Sequence, residues 1–299
     1  MITVVIYALN DAQTISACLS SLVSQRPPAG LDVVVLDDGS RDQTAAIVAR
    51  QFPQFRLMRE DQTLGWVRAL RKHLPDLHAS RLAFLGAHCR AEPGWLAAAE
   101  KEMARGRPVV TGSGHHGRES LPERFQAIVL HADAIPQREA DVPFLWDDDF
   151  AILPDLLEQH LPRSEMVLSD GAGATLLSRN LLKAGIAIAY RPAMRVNHVT
   201  HPWRKFVALW YGELAVNCVA TKRADPTSPG ARWLWLGPLA ALALAGKRWL
   251  QGVRDTLRAR PWLRISWLEV ALHACLLALC MPVYWLGLCR EMFAPNGAK

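Results

Sequence analysis

The strongest constraint on this chain lies in its first forty residues, where two continuous apolar, β-branched runs, ITVVIYA (2–8) and DVVVLD (32–37), flank one amphipathic stretch. A strand with apolar side chains on both faces has no side for water and must be covered twice. Between the runs, Ile15, Cys18, Leu19, Leu22 and Val23 share one face at helical spacing, with Asn10 placed to cap the helix and PPAG (27–30) to break the chain. The pattern continues. Ser40 and Gln43 have capping-box spacing for a helix through about Arg50, and FRLMR (55–59) alternates like a third strand. A helix near 66–73 precedes RLAFLG (81–86), Pro93 opens the helix WLAAAEKEMARG that ends at Gly106, and VVTG (109–112) is a fifth strand. Strands alternating with helices predict an α/β fold with a parallel, doubly wound sheet, and such sheets bind ligands at the carboxyl ends of their strands. Those ends carry Ala8 to Asp11, Asp37 to Ser40, and Gly86 to Cys89.

Charge divides the chain unevenly. Residues 1–220 hold 23 Lys+Arg against 24 Asp+Glu, whereas residues 221–299 hold 11 against 4 and six of the eleven Trp. Basic charge mixed with Trp and long apolar runs indicates a membrane surface rather than nucleic acid, for which the first 220 residues offer neither basic patch nor motif. The six cysteines form no C-x-x-C pair, and the N-terminus opens on a strand instead of a basic stretch and apolar run. A reduced, cytoplasmic setting is expected for the bulk of the chain.

VVIYALNDA followed some 25 residues later by VVVLDDGSRD resembles the opening of the family-2 glycosyltransferases with a GT-A fold, whose usual pattern is close to VVIPAYNEA and then VVDDGSTD. FLGAHCRAEPGWL is similar to the family's FLDADC-x-x-x-x-GWL, and LLKAGIAIAYRPAMRVNH to its late segment ending in His. The resemblance covers about residues 1–220. It implies a GT-A domain over 1–224, with a nucleotide-sugar as donor. Ala8 and Asn10 of the first loop and Asp37, Asp38 and Gly39 of the second would form the nucleotide site. A carboxylate at the end of the second strand accepts from a base N–H or a ribose hydroxyl, and Gly39 permits the sharp turn. His198 matches the family's late His and would approach the diphosphate.

Two departures stand out. The family's Asp-x-Asp holds a divalent metal (Mn2+ or Mg2+) that neutralises the leaving diphosphate. Here those positions read Gly86-Ala87-His88, so His88 is the expected ligand and Gly86 supplies none. Arg68 and Arg71 are alternatives for offsetting phosphate charge, against a plain solvated helix face. The second departure concerns the general base that takes the acceptor hydroxyl's proton. Its window, residues 171–175, contains no acid. Asp170 just outside it and Asp148 of the WDDDF cluster (146–150) are the candidate catalytic acids, the cluster being otherwise a solvated acidic turn.

DPTSPG (225–230) reads as a breaker within a linker at 225–232, before a helical, membrane-associated tail at 233–299. WLWLGPLAALALAG (233–246) is too short to span a bilayer and is expected to be an interfacial or re-entrant helix. The 25 residues 265–289 reach about 37 Å as a helix, enough to cross. The basic run 247–264 separates the two. These features together point to a transferase on the cell membrane with its catalytic domain on the cytoplasmic side. It would move one sugar to a lipid-linked or glycan acceptor of the envelope, with inversion. The alternative is a catalytically inactive GT-A module that binds a sugar nucleotide or a partner protein.

Overall fold

The computed structural model describes residues 2–25, 31–115, 120–131, 138–163, 170–200, 202–228 and 230–294. The contacts divide the chain into two compact units, one formed by residues 1–115 and 136–199, the other by 116–135 and 200–299.

The first unit is built on a nine-stranded sheet. Its elements are β1 (Ile2–Ala8), α1 (Ile15–Val23), β2 (Asp32–Asp37), α2 (Thr44–Gln51), β3 (Arg56–Arg59), α3 (Trp66–His73), β4 (Arg81–Leu85), β5 (Cys89–Ala91), α4 (Trp95–Ala104) and β6 (Val109–His115). The helix α5 (Leu121–His131) follows in sequence and belongs to the second unit. The sheet unit resumes with β7 (Ala140–Val142), β8 (Asp149–Ile152), α6 (Pro154–His160), α7 (Asp170–Lys183) and β9 (Ile188–His198). The strand order is β3-β2-β1-β4-β8-β6-β9-β5, with β7 against β9.

The two β-branched runs lie side by side, Val4 to Val33 and Ile6 to Val35, and nearly every residue of both is buried. At about 1.5–3 kcal/mol per buried large apolar side chain, they anchor the unit. The face of α1 is the expected one, with Ile15, Cys18, Leu19 and Leu22 buried; Val23 is half exposed. The sheet itself is mixed rather than wholly parallel. β3, β2, β1 and β4 run parallel, and β8 then enters antiparallel between β4 and β6. β5 and β7 are antiparallel to β9 as well.

Two expected caps are replaced. Thr14, not Asn10, precedes α1; Asn10 is left-handed (φ 59°) and reaches the second loop, its Oδ1 accepting the Arg41 N–H at 2.9 Å. Ser40 accepts the Asn10 N–H at 2.9 Å instead of capping α2, which begins at Thr44. Asp42 takes over, its Oδ1 accepting the Thr44 N–H at 2.9 Å. These bonds tie the loops after β1 and β2 to each other, which two independent caps would not do.

In the second unit, α8 (Trp203–Tyr211), α9 (Glu213–Ala224), α10 (Pro238–Leu263) and α11 (Trp267–Phe293) pack with α5. Phe125 and Val129 of α5 share a core with Phe206, Trp210, Val219 and Leu277. By contacts, the second unit takes up the chain again at Thr200. The segment 233–246 is not a separate helix. After a 3-10 turn at Ala231–Leu236, α10 runs unbroken from Pro238 through the basic stretch, because nothing between Gly246 and Lys247 interrupts it. α10 and α11 form an antiparallel hairpin, the indoles of Trp249 and Trp285 donating to the carbonyls of Ala274 and Pro238. A capping box of Ser266 and Glu269 opens α11.

Candidate functional site

The parallel strands β1, β2 and β4 deliver their carboxyl ends to one edge of the sheet. Asp37 closes β2 opposite Ala8 of β1, and the Asp38 N–H donates to the Ala8 carbonyl at 3.0 Å. The two aspartates are both buried but differently employed. Asp38 Oδ2 accepts from the Tyr7 hydroxyl at 2.7 Å and the Gly65 N–H at 2.8 Å, while its Oδ1 accepts the Leu64 N–H at 2.8 Å. It is a brace for the loop before α3. Asp37 Oδ1 accepts the Ser40 N–H at 3.2 Å, and Oδ2 lies 3.2 Å from Arg59 Nε in an ion pair that completes no hydrogen bond to it. Asp37 thus keeps a buried acceptor oxygen. Gly39 is required between them and α2: its φ is +78°, and a Cβ there would stand 2.9 Å from the Gln62 carbonyl carbon.

Of the two arginines, Arg68 is exposed on α3. Arg71 instead donates to the carbonyls of Leu161 and Pro162 at 3.0 and 2.9 Å, tying α3 to the end of α6. Orphan carbonyls past a helix end attract a guanidinium, so a phosphate-binding role for Arg71 would require breaking this tie.

Beyond β4 the chain gathers a second set of groups. His88, Cys89, Asp148 and His198 each point one ligand atom into a space where all lie within 4.8 Å of one another. Topology assembles them: β5 pairs Cys89 with His198 of β9, and β8 pairs Asp149 with Leu85 of β4. His88 Nε2 is 3.2 Å from Asp148 Oδ1, and His198 Nε2 is 3.6 Å from Asp148 Oδ2. The two imidazoles meet edge to face at 4.5 Å. His198 Nδ1 is 2.7 Å from the Val199 carbonyl, a contact in which Nδ1 donates, and Nε2 is the ring nitrogen turned towards Asp148.

The donor set of two imidazole nitrogens and a carboxylate suits a divalent cation such as Mn2+. The Cys89 thiol is the poorer donor, since burial, reinforced by the Asp148 charge, raises its pKa well above the usual thiol range. Asp149 faces away into the core. Burial raises its carboxyl well above the usual range against the opposing bond from Trp95 Nε1, which donates to Oδ1 at 2.7 Å.

Asp170 is the first residue of α7, and its side chain lies outside the described set. The acid-free window after it is occupied by packing: a Cβ on Gly173 would fall 2.4 Å from the Trp66 ring. WDDDF is no solvated turn, for Asp148 and Asp149 are both buried. Sequence reasoning reached the WDDDF cluster and the Gly86 to Cys89 strand end but missed the antiparallel entry of β8, which carries no local signal.

A mixed sheet with a parallel nucleotide-type half and a group of possible metal ligands defines a GT-A α/β unit. The sequence profile of Glycosyl transferase family 2 matches residues 3–161, and the chain belongs to that family. Glycosyltransferase AglE of Haloferax volcanii is 31% identical over 118 residues, which are 38% of this chain and 36% of that protein. The chain thus spans about a third of the curated relative it matches. Among solved structures, the mannosyltransferase PcManGT of Pyrobaculum calidifontis, in complex with GDP-Man and Mn2+, superposes with a TM-score of 0.59 at 20% identity. That superposition covers 97% of this chain and 84% of the other. The glucosyl-3-phosphoglycerate synthase of Mycobacterium tuberculosis, with Mn2+, UDP and glucosyl-3-phosphoglycerate, gives 0.52 at 20% identity over 74% of this chain and 79% of the other.

Proposed function

We propose that this chain is a glycosyltransferase that moves one sugar from a nucleotide-sugar to an acceptor hydroxyl, with inversion. The observation that carries the reading is the His88–Asp148–His198 cluster beside the β1 and β2 loops, where a diphosphate between nucleoside and sugar would lie. Asp37 receives the base or ribose through its remaining oxygen, and Ala8, Asn10 and Gly39 shape the floor. Arg68, exposed on α3, is available to the phosphates. His88, Asp148 and His198 would hold a divalent ion, which would supply positive charge against the leaving diphosphate. The acceptor hydroxyl attacks the anomeric carbon, and we assign the removal of its proton to Asp170, at the head of α7. Calorimetry with UDP and GDP, with and without Mn2+, tests the reading. Binding of one diphosphate, strengthened by Mn2+, is expected; no binding to either under any condition would leave an inactive module.

The different bonding of the two aspartates leads to different outcomes. Asp37→Ala should weaken nucleotide affinity by about 1.5–3 kcal/mol, the scale of one charge-assisted hydrogen bond, with little change in unfolding. Asp38→Ala should instead lower stability by about 1–3 kcal/mol, since it strands the Leu64 and Gly65 N–H groups. Calorimetry and urea unfolding on both variants separate these effects. Equal loss of affinity with unchanged stability in both would show that Asp38 also contacts the nucleotide.

We infer further that the second unit attaches the enzyme to a membrane and that the acceptor is an envelope lipid or glycan, with the catalytic unit on the cytoplasmic side. α11, 27 residues long, is apolar enough to cross a bilayer, and only 33% of its most apolar stretch is buried. Leu268, Leu279 and Leu286 of α11 and Leu239, Leu242 and Leu250 of α10 are exposed. Leu242, Trp249, Met281 and Trp285 line an apolar groove between the two helices, which suits a lipid chain. Because α11 also shares the core with α5 and α8, truncation would expose Phe206 and Trp210, and the informative experiment uses the full chain. The protein should float with anionic vesicles and resist alkaline carbonate extraction. Complete release at high pH would make α11 a surface helix.

A further inference from the structure

The family's metal motif calls for a carboxylate at position 86, where this chain has glycine. The structure accounts for the vacancy. A Cβ built on Gly86 would stand 2.1 Å from Asp148 Oδ1 and 2.9 Å from its Cγ, so the space of a side chain at 86 is already filled by the Asp148 carboxylate. The backbone sets this position: the Gly86 N–H donates to the Asp148 carbonyl at 3.0 Å, one step past the Leu85–Asp149 pair of the β4–β8 ladder. Asp148 is 4% exposed and faces two imidazole nitrogens, at 3.2 and 3.6 Å. Adjacent ligands of a six-coordinate divalent ion sit about 3 Å apart, as metal–oxygen bonds of about 2.1 Å at right angles require.

We propose that the motif's carboxylate has been transferred from the residue after β4 to the residue before β8: Asp148 replaces the aspartate missing at 86 and, with His88 and His198, ligates the divalent cation. The metal motif is therefore complete in space though broken in sequence, and the glycine at 86 is a requirement of the exchange rather than a lesion. Asp148 is then a ligand and not the base. This rests on the metal-dependent reading above.

The test is exchange in the opposite direction, read by Mn2+ binding through electron paramagnetic resonance on the full-length chain, with and without UDP or GDP. Asp148→Asn, which keeps shape and packing, should weaken Mn2+ binding at least about 10-fold, the lower end of what disturbing a metal site costs. Gly86→Asp alone places two carboxylates in one space and should lower thermal stability. The double variant Gly86→Asp, Asp148→Ala should recover Mn2+ affinity to within a few-fold of wild type and regain the Mn2+-dependent rise in melting temperature. An Asp148→Asn protein that binds Mn2+ as wild type does would overturn the exchange, as would a folded double variant that fails to recover. The wider reading fails separately: wild-type protein that binds nucleoside diphosphate but no Mn2+ would refute metal dependence itself.

Discussion

The His88→Ala protein is expected to stay folded and to release nucleoside diphosphate from its donor sugar about 10²–10³-fold more slowly than wild type. The imidazole is the accessible member of the cation cluster, with 28% of its side chain exposed, so its loss opens no large cavity in the core. Its effect falls on the charge available to the departing diphosphate. Removing one preorganised stabiliser of developing negative charge typically costs that much in turnover. The donor identified by calorimetry provides the assay, and urea unfolding provides the control for fold. Wild-type turnover in a folded His88→Ala protein would remove the cluster from the reaction.

Glu102→Ala is expected to be the most destabilising of the substitutions considered, by about 3–5 kcal/mol at neutral pH. Glu102 on α4 receives Arg191 Nε of β9 at 2.7 Å, with both side chains about 8% exposed, and Arg105 Nη1 at 2.8 Å. Truncation leaves the buried Arg191 guanidinium with only the exposed Glu139 carboxylate, 3.7 Å from its Nε. The same pair sets an acid response. Burial alone would raise the Glu102 carboxyl, but bonds and charge from Arg191 and Arg105 outweigh it and hold the pKa below its ordinary 4.5. A carboxyl depressed in the folded state contributes its full stabilisation above the unfolded pKa and loses it as pH falls through the folded one. Wild-type stability should therefore decline below about pH 4.5, and this part of the decline should be absent in Glu102→Ala. Parallel urea unfolding series from pH 7 to pH 3 measure it. An unchanged acid slope would assign that slope to other carboxylates, such as Glu60 with Lys72 and His73.

The cluster changes how the degenerate motifs should be read. A linear comparison finds Gly86 where an acid belongs and no acid in 171–175, which together suggest a dead enzyme. In three dimensions the two gaps have different causes. At 86 the space of a side chain is occupied by the Asp148 carboxylate. At 173 the glycine admits the Trp66 ring, which itself packs on Phe84 and Phe150, so the acid-free window is a packing solution of the strand β4–β8 region.

What could be read directly from the residues was local and periodic. The runs 2–8 and 32–37 coincide with β1 and β2, 66–73 with α3, and the face of α1 was legible because burial imposes a period of 3.6 on a helix. The turn at Gly39 followed from a motif in which backbone conformation dictates residue type, whereas the bonds between the first two loops took the place of the two caps read from the residues. Three matters were decided only by tertiary structure. The antiparallel insertion of β8 depends on which strand finds the open edge of β4, a pairing between residues some 65 apart that leaves no local mark. The union of α5 with the C-terminal helices depends on Phe125 finding Phe206 and Trp210, since any amphipathic helix seeks an apolar partner but its own pattern does not say which. The His88, Cys89, Asp148 and His198 cluster draws on β5 and β9 together with the residues just before β5 and β8, because distance between remote residues is a property of the folded sheet alone.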